Sequence, residues 1–300
     1  MQPSADLTDL ADRLRRHVET LARTPRTPNT PEHRAARDYI RAGLESAGFT
    51  VRESRTIEDD VLPCVNLLTN PLPARPELPL FIVGAHYDTC TETTGADDNA
   101  SAVAALLELA AWIRPHLDGA SACRLQLAAY DLEEYGMIGS IIHSGALKSA
   151  GERVRGMISL EMLGYTDHRA GSQRLPEPVR HLYPNVGNFI GVCGTDDSLD
   201  LIQAVAEGLK SIPGLPVQCL AVPERGMMLM DVRLSDHSSF WDAGYPALMV
   251  TDTSFYRNPH YHKPTDTPDT LDYPFLARVT AGVSEAVQRL LRAERLPGEC

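Results

Sequence analysis

The sequence lacks dense runs of basic residues, and only Lys148, Lys210 and Lys263 are lysines. Its 40 acidic and 28 basic residues give a formal net charge of −12. Nucleic-acid-binding domains usually present a clustered basic face. The charge pattern therefore argues against a nucleic-acid partner.

Cysteines are few and scattered, with six in 300 residues and no C-x-x-C pair. In a chain of this length, such spacing is typical of reduced thiols rather than of a disulfide framework. We therefore expect free thiols in a reducing compartment.

Long hydrophobic runs are also absent, since no stretch of about 18 apolar residues occurs and no membrane span is expected. The segment Met1 to Asp6 has neither the basic region nor the apolar region of a secretory signal. These features predict a cytoplasmic protein.

Apolar residues are present in quantity, at 43% of the chain, which is enough for one large core. Helical and extended patterns alternate along the chain, which favours an α/β domain with a largely parallel sheet. We expect helices at 6–23, 31–48, 99–113, 198–211 and 272–294. We expect strands at about 50–57, 63–69, 80–86, 123–130, 154–160, 189–194, 216–222 and 246–251.

A single domain is expected over 1–300, with an N-terminal helix and connector in 1–30 and the core in 31–296. Residues 165–188 combine several Pro and Gly residues with little periodicity, so we expect a long loop there. Long loops in compact domains often serve an active site.

Five short segments contain side chains of the type that bind metals, and three of them lie at or just after the end of a predicted strand. They are Gly84–Asp88, Gly95–Asn99, Leu132–Gly136, Ser159–Met162 and Tyr261–His262. Open α/β sheets place ligands beyond the carboxyl ends of their strands. Histidine and carboxylate ligands without cysteine are typical of catalytic rather than structural zinc.

Several pairs of neighbours remain open at this point. Asp97 and Asp98 are both candidates, and either could instead cap the following helix. Of the adjacent Glu133 and Glu134, one could bind metal while the other acts as a base. The spacing also leaves His260 as a competitor of His262.

With these motifs the chain resembles the M28 family of zinc aminopeptidases over about Pro31 to Tyr273. The similarity implies a three-layer α/β/α sandwich with a mostly parallel mixed sheet, as in zinc exopeptidases. The motifs that carry it are Gly84-Ala85-His86-Tyr87-Asp88, Asp98-Asn99-Ala100-Ser101, Glu133-Glu134-Tyr135-Gly136, Ser235-Asp236-His237 and Asn258-Pro259-His260-Tyr261-His262.

The resemblance also implies a function, the removal of N-terminal residues from peptide or aminoacyl substrates with two Zn²⁺ ions per chain. The implied metal ligands are His86 and Glu161 for one ion, Glu134 and His262 for the other, and a bridging Asp98.

The implied catalytic residues are Glu133 as general base and acid, Tyr261 as the phenol that stabilises the oxyanion, and Asp88 as the residue that orients His86.

The chain departs from the family pattern at three places. Ala102 stands where relatives have glycine, and Glu161 stands where many have aspartate. Leu234 precedes Ser-Asp-His where many relatives have arginine, while Arg233 lies one residue earlier. These changes affect the helix start, the reach of one ligand and contacts to substrate.

Two alternatives compete with the aminopeptidase. Glutaminyl cyclases share the fold with one zinc, but their motif usually reads Asp-Ser-Ala rather than Asp98-Asn99-Ala100. A non-catalytic interaction homologue would usually have lost ligands, whereas every ligand position is filled here. Candidate substrate-pocket walls are 165–188, Gly226–Met230 and Phe255–Tyr256, which suggest an apolar preference.

Overall fold

Eight strands form one mixed sheet in a computed structural model that describes residues 3–56 and 63–293. The strands are β1 (Val51–Thr56), β2 (Cys64–Thr69), β3 (Leu80–His86), β4 (Arg124–Tyr130), β5 (Val154–Glu161), β6 (Ile190–Thr195), β7 (Val217–Val222) and β8 (Ala247–Thr251). The helices are α1 (Pro3–Leu21), α2 (Pro31–Ser46), α3 (Ala102–Ile113), α4 (Ile138–Ser149), α5 (Leu199–Lys210), α6 (His237–Ala243) and α7 (Tyr273–Arg292).

The strand order is β1-β2-β4-β3-β5-β8-β6-β7. The central run β4-β3-β5-β8 is parallel throughout, whereas the pairs β1–β2, β2–β4 and β8–β6 are antiparallel and β6–β7 is parallel. All eight predicted strands are confirmed to within a few residues. The prediction for β1 extended to residue 57, which lies outside the described residues.

Helices cover both faces of the sheet, which confirms the three-layer architecture. Side chains of α1, α2, α3, α5 and α7 form the larger core with one face. On the other face, α6 contributes Phe240 and Trp241, and α4 packs against α6.

The helices α4 and α6 were missed in the sequence. The α4 segment contains Gly139, Gly145 and three serines, all weak helix formers, and α6 has only seven residues. Both helices form because tertiary packing on the sheet outweighs local propensity.

Helix α3 is buried nearly all round, as expected, but it begins at Ala102 rather than at residue 99. The preceding residues Ala96–Ser101 form a π-helical turn in which Asp98 and Asn99 have non-helical backbone angles. The predicted start was wrong because the Asp98 side chain turns toward His86 and His262, while the Asn99 amide is hydrogen-bonded to the backbone of Leu160 and Met162.

The segment 165–188 is a loop, as predicted, with a short 3₁₀ turn at Glu177–Val179 and a bridge between Asp167 and Gly187. Among the described residues, all five cysteines are free thiols, and Cys300 lies outside the described ranges. No helix within 3–56 or 63–293 is long and apolar enough to cross a bilayer.

Helices α5 and α7 approach so closely at Gly208 that a side chain has no room there. An added Cβ would lie 2.5 Å from Ala286 Cα and 2.6 Å from its backbone nitrogen. Backbone atoms cannot move aside as a flexible side chain can, so a methyl group here must push the helices apart.

We expect Gly208→Ala to lower the free energy of unfolding by about 1–3 kcal/mol through overpacking. Gly145→Ala is the matched control, since that α4 glycine has open space around its Cβ position. The control should stabilise the protein by about 0.4–1 kcal/mol. Urea unfolding followed by circular dichroism measures both, and equal stability of the two variants would contradict the packing argument.

Candidate metal centre and active site

The predicted ligands converge at the carboxyl ends of three adjacent parallel strands. His86 ends β3, Glu161 ends β5, and Glu133 and Glu134 follow β4 within a few residues. Parallel strands bring their carboxyl ends to one edge, so residues distant in sequence meet there.

One group of side chains surrounds His86. Its Nε2 lies 3.3 Å from Asp98 Oδ1, 3.5 Å from Glu161 Oε2 and 3.9 Å from Glu133 Oε2. His86, Asp98 and Glu161 are all buried.

A second group surrounds His262, whose Nε2 lies 3.0 Å from Glu134 Oε2 and 3.2 Å from Asp98 Oδ2. Asp98 therefore directs one oxygen toward each histidine and joins the two groups. Among the described residues, the groups of side chains that could hold an ion are His86, Glu133 and Glu161 on one side and Cys90, Glu134 and His262 on the other.

The alternatives that the sequence left open are separated by the structure. Asp97 accepts hydrogen bonds from Gly164 N and Asn258 Nδ2. His260 is hydrogen-bonded to Thr265. Asp98 and His262 are the members that enter the cluster.

Unpartnered buried atoms indicate that the cluster fits metal ions. Both ring nitrogens of His86 and Oδ2 of Asp98 are buried without a hydrogen-bond partner in the described chain. Tetrahedral zinc with nitrogen and oxygen ligands places neighbouring ligand atoms about 3.4 Å apart. The 3.0–3.5 Å spacings around His86 and His262 match that requirement.

The electrostatics of the cluster also favour cations. Burial raises the pKa of Glu133 well above its usual value, with His86 opposing the shift and Glu161 adding to it. Burial likewise raises the pKa of Glu161. Burial also disfavours the charge of Asp98, but contacts to His262 and His86 outweigh it and lower the Asp98 pKa. The site thus concentrates negative charge where water is excluded.

Asp88 fixes the backbone that carries the two glutamates. Its Oδ1 accepts the N–H of Glu133 at 3.1 Å, and its Oδ2 accepts the N–H of Glu134 at 3.2 Å. Its Oδ1 also lies 3.5 Å from His86 Nδ1. The sequence suggested only the contact to His86, and the link to the glutamates is additional.

The turn that carries Asp98 is held from two sides. Asp266 accepts the backbone N–H groups of Asp97 and Asp98. The buried Arg26 guanidinium donates to the carbonyls of Gly95, Thr94, Tyr87 and Leu21. The connector after α1 thereby fixes the ligand turn, which the sequence did not indicate.

Glu161 is held by two residues whose roles the motifs had left unassigned. The Asn99 amide donates to Leu160 O and accepts from Met162 N, so it pairs with the backbone on both sides of Glu161. Ser235, the first residue of Ser-Asp-His, donates its hydroxyl to Glu161 Oε2 at 2.8 Å.

Tyr261 lies beside the cluster with its ring stacked on His262 at 3.7 Å between centroids. Burial raises the pKa of Tyr261, and Asp98 and Glu134 raise it further. Its phenol therefore stays protonated and can donate a hydrogen bond.

A pocket of about 130 Å³ opens next to Glu133, Glu134 and Glu161. Its wall is mainly apolar and includes both the 165–188 loop and the Phe255–Tyr256 segment. The apolar and aromatic lining residues are Leu175, Pro176, Val179, Tyr183, Phe189, Val192, Leu220, Val232, Leu234, Met249, Phe255, Tyr256 and Tyr261. Met227, Met228 and Met230, by contrast, are exposed to solvent.

A model of the family "Peptidase family M28" matches residues 70–287. The chain belongs to this family. It is 36% identical to "Uncharacterized protein YfbL" of Escherichia coli K12, over 94% of this chain and 88% of the relative.

Among more distant M28 relatives, "Probable leucine aminopeptidase 1" of Trichophyton verrucosum is 24% identical over 79% of this chain. The chain spans 61% of the length of that fungal protein.

The fold matches those of several solved structures. A zinc aminopeptidase from Bacillus subtilis superimposes with a TM-score of 0.73 at 15% identity, covering 95% of each chain. Glutaminyl cyclase from Porphyromonas gingivalis superimposes with a TM-score of 0.68 at 23% identity, covering 94% of this chain and 97% of that one. Both likenesses concern the fold.

The departure at Leu234 from the M28 pattern has a structural counterpart. Leu234 lines the pocket, whereas Arg233 points its guanidinium to the Asp242 carboxylate at 2.7 Å. This wall of the pocket is therefore apolar at Leu234.

We expect Ser235→Ala to weaken zinc binding about 10- to 100-fold on the His86 side, because Glu161 loses the hydroxyl that orients it. Ser239→Ala is the control, since that buried hydroxyl donates to the Asp236 carbonyl. Competition with a chromophoric chelator measures the affinities. Unchanged affinity in Ser235→Ala would show that Glu161 is held by other means.

Proposed function

We propose that the protein is a two-zinc aminopeptidase that hydrolyses the N-terminal peptide bond of its substrates. The observation that carries the proposal is the pair of ligand groups joined by Asp98. His86 and Glu161 would hold one ion, Glu134 and His262 the other, and Asp98 both.

When bound, a zinc pair supplies Lewis acidity and lowers the pKa of an associated water toward about 7. Glu133 is suited to take the proton from that water. It is farther from His86 than the proposed ligands are, at 3.9 Å, and burial favours its protonated form after transfer. Glu133 then returns the proton to the leaving amine.

Tyr261 is suited to stabilise the charge that develops on the carbonyl oxygen. It lines the pocket together with Glu133, and its raised pKa keeps the hydroxyl as a donor. A preorganised donor of this kind contributes more in a water-excluded site than in water.

The arrangement favours exopeptidase action. A free N-terminal amine is positively charged, and Glu133, Glu134 and Glu161 line the pocket. The adjoining apolar volume accommodates one side chain. A substrate would therefore be anchored by its amine and its first residue.

We expect Glu133→Gln to lower kcat by at least about 100-fold, since general bases typically contribute 10²–10⁴-fold. The amide is nearly isosteric, so two zinc ions per chain should remain, as measured by inductively coupled plasma mass spectrometry. Glu207→Gln on the exposed face of α5 is the control and should be fully active. Full activity of Glu133→Gln would show that Glu133 is not the general base.

The apolar pocket supports a preference for large apolar N-terminal residues. Burying a leucine side chain contributes about 1.5–3 kcal/mol. We therefore expect kcat/KM for leucyl substrates to exceed that for aspartyl or lysyl substrates by at least about tenfold.

Val179→Asp should reduce this preference because Val179 lines the pocket. Leu182→Asp, on the same loop but 61% exposed and outside the pocket wall, should leave it unchanged. A strict preference for charged N-terminal residues in the parent protein would contradict the assignment of this pocket.

The glutaminyl cyclase alternative rests on the similarity of fold and on a one-zinc site. Two joined ligand groups favour two ions. A protein that binds one zinc and cyclises N-terminal glutamine without releasing amino acids would replace the aminopeptidase proposal by this alternative.

A further inference from the structure

A thiol lies among the proposed ligands of the second ion, and the proposed mechanism does not use it. Cys90 follows β3 by four residues and is half-buried. Its Sγ lies 3.1 Å from Glu134 Oε2 and 3.7 Å from both ring nitrogens of His262. Cys90, Glu134 and His262 place one ligand atom each within 4.8 Å of one another.

These spacings fit coordination of one ion. With Zn–S near 2.3 Å and Zn–N or Zn–O near 2.0–2.2 Å, tetrahedral geometry separates sulfur from a neighbouring ligand by about 3.6 Å. The distances from Cys90 Sγ to Glu134 Oε2, 3.1 Å, and to His262 Nε2, 3.7 Å, lie on either side of that value.

An independent feature points to the same space. Asp98 Oδ2 is buried without a hydrogen-bond partner in the described chain and lies 3.2 Å from His262 Nε2. The backbone N–H of Cys90 also donates to Glu134 Oε1 at 3.2 Å, which leaves Oε2 on the side of the histidine. An unpartnered carboxylate oxygen thus lies beside the group formed by Cys90, Glu134 and His262.

We propose that Cys90 is a thiolate ligand of the ion held by Glu134, His262 and Asp98, an inference that rests on the proposed function. On binding, the thiol loses its proton to solvent and a sulfur–metal bond forms. With Asp98 shared between the two ions, Cys90 would give the ion at Glu134 and His262 one protein ligand more than the ion at His86 and Glu161.

This difference makes the pair asymmetric. Sites with four protein ligands are characteristic of firmly held zinc, whereas three ligands leave a position for water or substrate. Thiolate also favours zinc and cadmium over magnesium, calcium or manganese. The Cys90 site should therefore fill first and exchange slowly, and the His86 site should exchange faster.

The test is cobalt substitution of the full chain, freed of metal and titrated with Co²⁺. The expected result is an intense near-ultraviolet sulfur-to-cobalt charge-transfer band that saturates with the first equivalent. The band should be absent in Cys90→Ser and present in Cys64→Ser, whose thiol lies beside Asn66 and away from the ligands. In Cys90→Ser, the affinity for the first ion should fall at least about tenfold. Loss of a residue that merely orients a ligand typically lowers metal affinity by about that factor, so loss of a ligand should lower it at least as much.

X-ray absorption of the zinc-loaded parent protein gives a second measurement that needs no variant, with a sulfur shell near 2.3 Å expected. Two bound ions without a sulfur signal would overturn the assignment of Cys90 and leave the two-zinc proposal intact. Failure to bind any metal would overturn both.

Discussion

The carboxylate of Asp98 is the constraint on which the site depends. It is buried between two histidines, with Oδ1 3.3 Å from His86 and Oδ2 3.2 Å from His262. One side chain can face both only if its turn leaves the helical path, and the backbone at Asp98 does so just before α3 begins. The Asp266 carboxylate accepts the backbone N–H groups of Asp97 and Asp98 in that turn. The Arg26 guanidinium donates to the carbonyl of Gly95 just before it. The connector after α1 thus contributes to the site without supplying a ligand.

The local charge explains why so many polar contacts surround the ligands. Asp98, Glu133, Glu134 and Glu161 meet at one end of the sheet, and like charges in a low-dielectric site repel. Backbone N–H groups and hydroxyls offset part of this repulsion, as Ser235 does for Glu161. Divalent cations would offset the rest more effectively than protons. Because the unfolded chain does not present these groups together, bound metal would also stabilise the fold.

The strands and the general location of the site could be predicted from sequence because most of the ligand segments adjoin a strongly apolar run. The choice between Asp97 and Asp98, or between His260 and His262, could not be predicted from the residue pattern, because loop residues follow no periodicity. The family resemblance favoured Asp98 and His262, and those are the residues found in the cluster. Helices α4 and α6 were missed because their formation depends on packing against the other face of the sheet. The role of Arg26 was hidden because its partners are backbone carbonyls distant in sequence.

Asp88 makes the parts of the site interdependent. Its two oxygens fix the peptide groups of Glu133 and Glu134, and one of them lies 3.5 Å from His86. Glu133, the proposed base, therefore shares one buried partner with Glu134 and His86, which are proposed ligands of different ions. Residues that share a partner do not contribute independently to stability or function. A shift of Asp88 would move the base relative to both ligand groups at once, and this places Asp88 among the residues that determine the geometry of the whole centre.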